Sequence, residues 1–229
     1  MERSFESEKQ FTSDASHELR TPITVILAQC KEAKQNYTSN EQYKDAIDVI
    51  DRQANKMSAL ISQLLQMTRI EQGTQVATFE MQNLSELVTI ICSEQPDMPE
   101  NMQMYTDVQP DIIAEFDVVL ISRLLQNLIN NAIRYGKENG YIKVRLYKQL
   151  KTIYLEVEDN GIGIPEDKIE NIWKRFYQVD TSRTNKNGTG LGLTMVRQIA
   201  HMHNGSINVK SILGEGSCFI FTFPQNQNK

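Results

Sequence analysis

The sequence predicts two successive folds: an all-α helical hairpin, which forms a four-helix bundle as a dimer, and then an α+β sandwich domain. The first 73 residues contain a single proline, Pro22, and a single glycine, Gly73, a composition that favours long helices. Beyond Gly73, strand-like alternation of apolar residues mixes with shorter helical patterns. This mixture predicts helices on one face of a mixed sheet in the second part.

The hairpin is predicted from apolar residues at helical spacing. In the first helix they are Phe11, Ala15, Leu19, Ile23, Ile26, Leu27 and Cys30. In the second they are Ile47, Ile50, Ala54, Met57, Ile61 and Leu64. The alternating steps of three and four residues are typical of a bundle seam, and the polar break at 36–40 suits a turn. Two helices cannot bury so wide a stripe alone, so we expect a homodimer. The alternative is packing against the C-terminal domain of the same chain.

The elements of the second part follow from the same patterns. Gly73 is expected to end the second helix, and 74–82 is a short linker or edge strand. Asp117 is a plausible N-cap for a helix that Gly136 closes. The expected helices are 84–94, 118–135, 166–175 and 191–203. The expected strands are 103–108, 112–116, 141–150, 152–158, 206–212 and 217–223.

Composition and charge exclude several functional classes. The net charge of −5 gives no electrostatic case for a nucleic-acid partner. Three distant cysteines, Cys30, Cys92 and Cys218, predict neither a disulfide framework nor a zinc site, and favour a reducing compartment. No apolar run approaches the ~18 residues of a membrane span, and no signal peptide is visible. We therefore expect a cytoplasmic protein, or the intracellular part of a longer protein anchored in a membrane only through segments absent from this chain.

One histidine of the first helix stands in a polar, charged segment, FTSDASHELRTP at residues 11–22. Glu18 follows His17 directly, and Thr21 and Pro22 lie just beyond. A carboxylate beside a histidine can hold one ring nitrogen protonated and leave the other free to attack, so His17 is a candidate nucleophile. The alternative is a solvated surface histidine. The clusters in the second part favour the nucleophile.

The first of these clusters is NLINNAIRY at residues 127–135. Asn127 and Asn131 are one helical turn apart and share a face, and Arg134 lies one turn further on an adjoining strip. An amide oxygen can coordinate Mg²⁺, and a guanidinium can pair with phosphate. The alternative is a buried capping asparagine, which two asparagines and an arginine at this spacing make weaker.

The second and third clusters are two glycine-rich turns. DNGIGIP at 159–165 directly follows a strand, and the Asp159 carboxylate can accept a hydrogen bond from an exocyclic amine such as that of adenine. GTGLGL at 188–193 leads into a helix, whose first amides can face an anion. It is neither a phosphate-binding P-loop nor a dinucleotide fingerprint. Each turn alone is weak evidence, but the order of all three clusters indicates a nucleotide site.

Taken together, these segments resemble the catalytic core of a sensor histidine kinase from a two-component system. The resemblance implies three regions: a dimerisation and histidine-phosphotransfer hairpin at 1–74, a linker at 75–82, and a catalytic ATP-binding domain of the histidine kinase/gyrase/chaperone type at 83–229. It implies ATP-dependent autophosphorylation with Mg²⁺, transfer to an aspartate of a response regulator receiver domain, and reverse phosphatase activity.

The resemblance also implies roles for single residues. His17 would be the phosphoacceptor, Glu18 its acid–base partner, and Thr21 the residue that helps position water in the phosphatase reaction. Asn131 would bind Mg²⁺, and Asp159 would read the adenine amine. The remaining nucleotide-binding residues would be Asn127 and Arg134 near the phosphates, Tyr135 near the nucleoside, and Gly161, Gly163, Gly188, Thr189, Gly190, Leu191 and Gly192 around the pocket. The segment 178–188 would be a mobile ATP lid, anchored by the aromatic box at 173–177.

One departure from the family pattern concerns this lid. Many relatives have a phosphate-reaching arginine directly after the FY pair, whereas this chain has Gln178. Arg175 or Arg183 is the candidate replacement, and Arg183 is expected near the nucleotide. Trp173, where relatives often have phenylalanine, is a minor change.

Two other functions are the alternatives. An ATP-driven conformational ATPase would need a water-activating glutamate where Asn127 stands, and an amide cannot act as a base. A non-catalytic ATP-binding dimeric scaffold is disfavoured by the intact His17, Glu18, Asn131 and Asp159. His201 and His203 are two residues apart and fall on different helix faces, so we expect a helix-dipole or surface role for them instead of a metal pair.

Overall fold

The computed structural model describes residues 2–72, 74, 76–96, 98–179 and 188–227. The chain divides into two compact units, Met1–Gln75 and Val76–Lys229. In the part of the chain that is described, no helix is long and apolar enough to cross a membrane.

The first unit is the predicted hairpin of two long helices, α1 (Glu2–Gln35) and α2 (Asn40–Glu71). At the start of α2, the Ser39 hydroxyl accepts the Gln42 N–H, and the Gln42 side chain accepts the Ser39 N–H. This capping box ends the turn between the helices, where the sequence has its polar break. Gly73, the expected C-cap of α2, lies outside the described residues.

One hairpin buries only part of its apolar surface. Ala46, Leu60 and Met67 are no more than 3% exposed, and they are spaced at multiples of seven residues along α2. Ile47 and Ile61, one position further along the helix, are 63% and 43% exposed. The hairpin therefore has one buried apolar stripe and a second that is open to solvent.

The second unit contains a five-stranded mixed sheet in the order β2-β4-β5-β7-β6. Its strands are β2 (Gln103–Val108), β4 (Tyr141–Gln149), β5 (Thr152–Asp159), β6 (Ser206–Ile212) and β7 (Gly216–Pro224). β2 pairs with β4 in parallel, and the other pairs are antiparallel. A separate two-stranded sheet pairs β1 (Glu80–Asn83) with β3 (Ile113–Phe116).

Three helices cover one face of the five-stranded sheet: α3 (Leu84–Ser93), α4 (Val118–Tyr135) and α5 (Gly192–Met202). Along β4, alternate side chains such as Ile142 and Val144 are fully buried against them. The Asp117 carboxylate caps α4 by accepting the Leu120 N–H at 2.9 Å, as its position in the sequence predicts. The α+β sandwich expected from the sequence is confirmed.

The expected helix at 166–175 is wrong. The chain there forms two short 3₁₀ turns, Glu166–Lys168 and Asn171–Trp173, and the backbone leaves the helical region at Lys174, where ψ is 147°. Ile169 and Ile172 are three residues apart, which also fits 3₁₀ periodicity. The hydrogen bonds of this segment close after three residues, as in those from the Lys168 N–H to the Pro165 carbonyl and from the Lys174 N–H to the Asn171 carbonyl.

Candidate functional site

His17 and Thr21 are both exposed on α1, four residues apart and therefore on one face. The Thr21 hydroxyl donates to the His17 carbonyl at 3.4 Å. Pro22 lies buried inside the helix and lacks an N–H, so the Glu18 carbonyl loses its usual helical donor. The His17 ring is thus open to an incoming reactant, beside a locally interrupted helical hydrogen-bond ladder.

A cavity of the second unit brings several of the predicted site residues together. Its polar lining includes Asn131, Asp159, Gln178 and Ser217, with Tyr135 beside them. Its apolar walls are Ile162, Ile164, Ile172, Leu193 and Phe219. A cavity with apolar walls and a few convergent polar groups is the usual form of a small-molecule site.

Asp159 ends β5 and is only 8% exposed. One of its oxygens, Oδ1, accepts the Gly161 N–H at 2.8 Å. Burial raises the pKa of the carboxyl to about 6, against the opposing effect of backbone hydrogen bonds from Gly161 and Ser217. At neutral pH the group is therefore mainly ionised and can accept further hydrogen bonds from a ligand in the cavity.

The turn after Asp159 needs its glycines because backbone passes close on both sides. A Cβ at Gly161 would lie 2.4 Å from the Tyr135 carbonyl oxygen at the end of α4. Gly163 has a φ of +67°, and a Cβ there would lie 2.0 Å from the Ile212 carbonyl oxygen. Gly163 lines the cavity, whereas Gly161 lies between Asp159 and α4.

The asparagines of α4 differ in their surroundings. The Asn127 amide donates to the Arg123 carbonyl at 2.8 Å and contacts the Met195 sulfur at 3.9 Å. The Asn131 side chain lines the cavity, and it has no hydrogen bond within the described part of the chain. The Asn131 oxygen is therefore available to a ligand or a cation. The Asn127 amide nitrogen is engaged, and its oxygen lies beside Gly192 at the start of α5.

The glycine run crosses α4 on its way into α5. A Cβ at Gly188 would lie 2.8 Å from the Arg134 guanidinium, and one at Gly192 would lie 2.9 Å from the Asn127 side-chain oxygen. Between them, the Thr189 hydroxyl accepts the Leu191 N–H at 3.4 Å. Leu191 is only 1% exposed and does not line the cavity.

The expected lid is described only at its two ends. The Gln178 amide donates to the Gly188 carbonyl at 2.6 Å, a contact that the sequence did not predict. Arg175 is half-buried in the aromatic box, where Trp173 packs edge-on against Phe219 at 6.1 Å. Arg183 lies outside the described residues, so its place near the nucleotide stays a prediction.

The predicted surface or helix-dipole role of His203 is wrong. This histidine is fully buried, whereas His201 is exposed as expected. Its Nε2 accepts the Asp117 N–H at 3.2 Å, so Nδ1 carries the proton and donates to the Ile199 carbonyl at 2.9 Å. Burial lowers the pKa of this imidazole. The helical pattern of α5 could have predicted this burial, because the buried residues 196, 199 and 200 lie on the same helical face as 203.

The same two-part division is found when the chain is compared with known proteins. Residues 7–73 match the family described as the His Kinase A (phospho-acceptor) domain. Residues 116–227 match the family of histidine kinase-, DNA gyrase B-, and HSP90-like ATPases.

Two curated relatives cover nearly all of this chain. Sensor histidine kinase RppB of Synechocystis sp. is 33% identical over 227 residues, which are 97% of this chain and 50% of RppB. Sensor histidine kinase YclK of Bacillus subtilis is 34% identical over 98% of this chain and 48% of YclK. The chain thus spans about half the length of these curated relatives.

A solved structure extends the likeness to the fold. Histidine kinase ThkA in complex with response regulator protein TrrA has a TM-score of 0.78 and 26% identity, over 98% of this chain and 64% of that chain. A structure of the isolated ThkA catalytic domain matches at 30% identity and a TM-score of 0.56, over 65% of this chain and 99% of that chain. The chain therefore belongs to the sensor histidine kinases of two-component systems.

Proposed function

We propose that this chain binds ATP with Mg²⁺, phosphorylates His17, and passes the phosphoryl group to an aspartate of a response regulator. In this proposal 1–74 is the phosphotransfer hairpin, 75–82 the linker and 83–229 the ATP-binding domain. The cavity that joins Asp159 and Asn131 carries the proposal, because it pairs a buried acceptor with a free amide oxygen. Because ATP is a cytoplasmic substrate, we place the chain in the cytoplasm, whether or not the full protein is membrane-anchored.

The base of the nucleotide fits the inner part of this cavity. Apolar side chains such as Ile164 and Leu193 can cover a planar ring. The Asp159 carboxylate can accept a hydrogen bond from the adenine amine, whereas guanine presents a carbonyl oxygen at that position. The cavity therefore favours adenine over guanine.

The phosphates would lie towards the glycine run. Arg134, beside Gly188, supplies a guanidinium that can pair with phosphate oxygens, and α5 begins four residues after Gly188 with first amides that can bind an anion. Mg²⁺ prefers oxygen ligands and takes few from the protein, which suits the amide oxygen of Asn131 in the cavity. When bound, the ion would neutralise charge on the phosphates.

The transfer itself needs a nucleophile and little other covalent chemistry. A ring nitrogen of His17 would bond to the γ-phosphorus as the bond to the bridging oxygen of ADP breaks. Glu18 would hold the proton on the other ring nitrogen, and Thr21 would help position water in the reverse reaction. Asn127 cannot act as a base, and its amide nitrogen is held by the Arg123 carbonyl, which disfavours a conformational ATPase.

The proposal includes two protein partners, a second copy of this chain and a response regulator. The solvent-open stripe of Ile47 and Ile61 supports a homodimer with a four-helix bundle, because exposed apolar surface of this kind marks association sites. The structure of ThkA with response regulator TrrA supports a receiver domain as the second partner.

The experiment is incubation with γ-labelled ATP and Mg²⁺. We expect label on the protein that is lost in acid and kept in alkali, as phosphohistidine requires. Addition of a response regulator receiver domain should move the label to an acyl phosphate on that domain. Stable incorporation in acid, or no incorporation with bound ATP, would refute the proposal.

A further inference from the structure

The chain segments on either side of residues 179–187 pair with each other as in an antiparallel ladder. The Phe176 N–H donates to the Gly190 carbonyl at 3.0 Å. Two residues further along each segment, the Gln178 side-chain amide donates to the Gly188 carbonyl at 2.6 Å. The Gln178 side chain thus supplies the next bond of the ladder, in the place of a backbone N–H.

Two of the paired residues have left-handed backbone conformations. Phe176 has a φ of +57°, which is uncommon for an aromatic residue, and Gly190 has a φ of +68°. A Cβ at Gly190 would lie 2.5 Å from the Phe176 carbonyl carbon, so the two segments touch without side chains between them. The Gln178 bond is the end of the pair that lies nearest the cavity, which Gln178 itself lines.

The Gln178 bond also fixes the position of the glycine run relative to α4. Gly188 is buried, and its backbone lies directly against the Arg134 guanidinium. A shift of Gly188 would therefore move the glycine run away from the side chain that is expected to pair with phosphate. Asp159, by contrast, is held by Gly161 on the opposite turn.

We propose that Gln178 is a positioning residue, which clasps the Gly188 carbonyl and so holds the phosphate side of the nucleotide site in place. This inference rests on the proposed nucleotide-binding function. It gives the departure from the family arginine a role of its own: the amide orders the backbone around the phosphates and does not need to carry charge.

The test uses the full chain with Gln178→Met, which keeps the length of the side chain but removes the donor. Gln178→Asn keeps the amide and shortens its reach, and Gln149→Met makes the same change at an exposed end of β4 as a control. We expect both Gln178 variants to bind ATP and ADP about three- to tenfold more weakly by calorimetry, the effect of one hydrogen bond. Adenosine affinity should stay at the wild-type value, and the control should match wild type throughout.

Each contrary outcome has a distinct meaning. Wild-type ATP affinity in both Gln178 variants would overturn the clasp and leave the proposed function standing. An equal loss for adenosine and ATP would also overturn it, because that pattern indicates general disturbance of the domain. Failure of the wild-type protein to bind ATP would overturn both the clasp and the proposed function.

Discussion

Replacing Asp159 by asparagine tests the adenine contact with almost no change of shape. The carboxylate is 8% exposed, so water cannot readily take over the hydrogen bond that it would accept from the adenine amine. The new amide can present its NH₂ to that amine, which places two donors face to face. Loss of one charge-assisted hydrogen bond is worth roughly 1.5–3 kcal/mol, or about a tenfold to hundredfold loss of ATP affinity.

The raised pKa of Asp159 adds a pH dependence to this prediction. With a pKa of about 6, the carboxyl is mostly ionised at neutral pH and mostly protonated about one unit below its pKa. ATP affinity should therefore fall by up to about tenfold between about pH 7.5 and pH 5, relative to Asp159→Asn. The ratio of the two proteins is the proper readout, because the terminal phosphate of the nucleotide also titrates in this range.

Calorimetry with ATP and GTP measures both the loss of the adenine contact and its pH dependence. The matched control is Asp111→Asn, the same change at an exposed carboxylate. We expect Asp159→Asn to lose ATP affinity and to discriminate less against GTP, while the control keeps both. Unchanged ATP affinity in Asp159→Asn would refute the adenine role, and a constant ratio across pH would refute the assigned protonation.

Two further predictions concern the hairpin and the buried histidine. Residues 1–73 alone should dimerise, and Ile61→Glu should make them monomeric because it buries a charge; a monomeric wild-type fragment in sedimentation would contradict this. Burial lowers the pKa of His203 in the folded protein, so below pH 6.5 the unfolded chain binds a proton at this histidine more readily than the folded one. The free energy of unfolding should therefore fall by up to about 1.4 kcal/mol per pH unit below pH 6.5. Denaturant unfolding should show this pH dependence of the unfolding free energy in wild type and a weaker one in His203→Gln. Equal slopes in the two proteins would contradict the role assigned to His203.

The elements that local chemistry controls were predictable from sequence. Asp117 caps α4 as expected, and the Ser39 box lies in the predicted turn, because a cap depends on residues within one helical turn. The strands of the large sheet were found because alternation reports burial of one face directly. The expected helix at 166–175 is wrong because its hydrogen bonds close after three residues, and periodicity over so short a segment does not separate 3₁₀ turns from an α-helix.

The sequence predicted several residues that line the candidate cavity, but not their contacts with one another. Asn131 and Asp159 do line one cavity, although nothing in their separate motifs states the distance between them. The bond from Gln178 to Gly188 joins the two ends of an intervening segment, and no periodicity reports such a pair. The burial of His203 follows from the α5 pattern, because residues 196, 199, 200 and 203 share one helical face, whereas the spacing of two between the histidines does not report burial.

The central claim is that His17 accepts the γ-phosphoryl group of ATP. The most direct measurement is label incorporation from γ-labelled ATP in wild type, His17→Gln and His201→Gln, since His17 and His201 are both exposed. ATP affinity is measured in parallel for all three proteins. We predict no acid-labile label on His17→Gln, wild-type label on His201→Gln, and equal ATP affinity in all three. Acid-labile label persisting on His17→Gln would contradict the account.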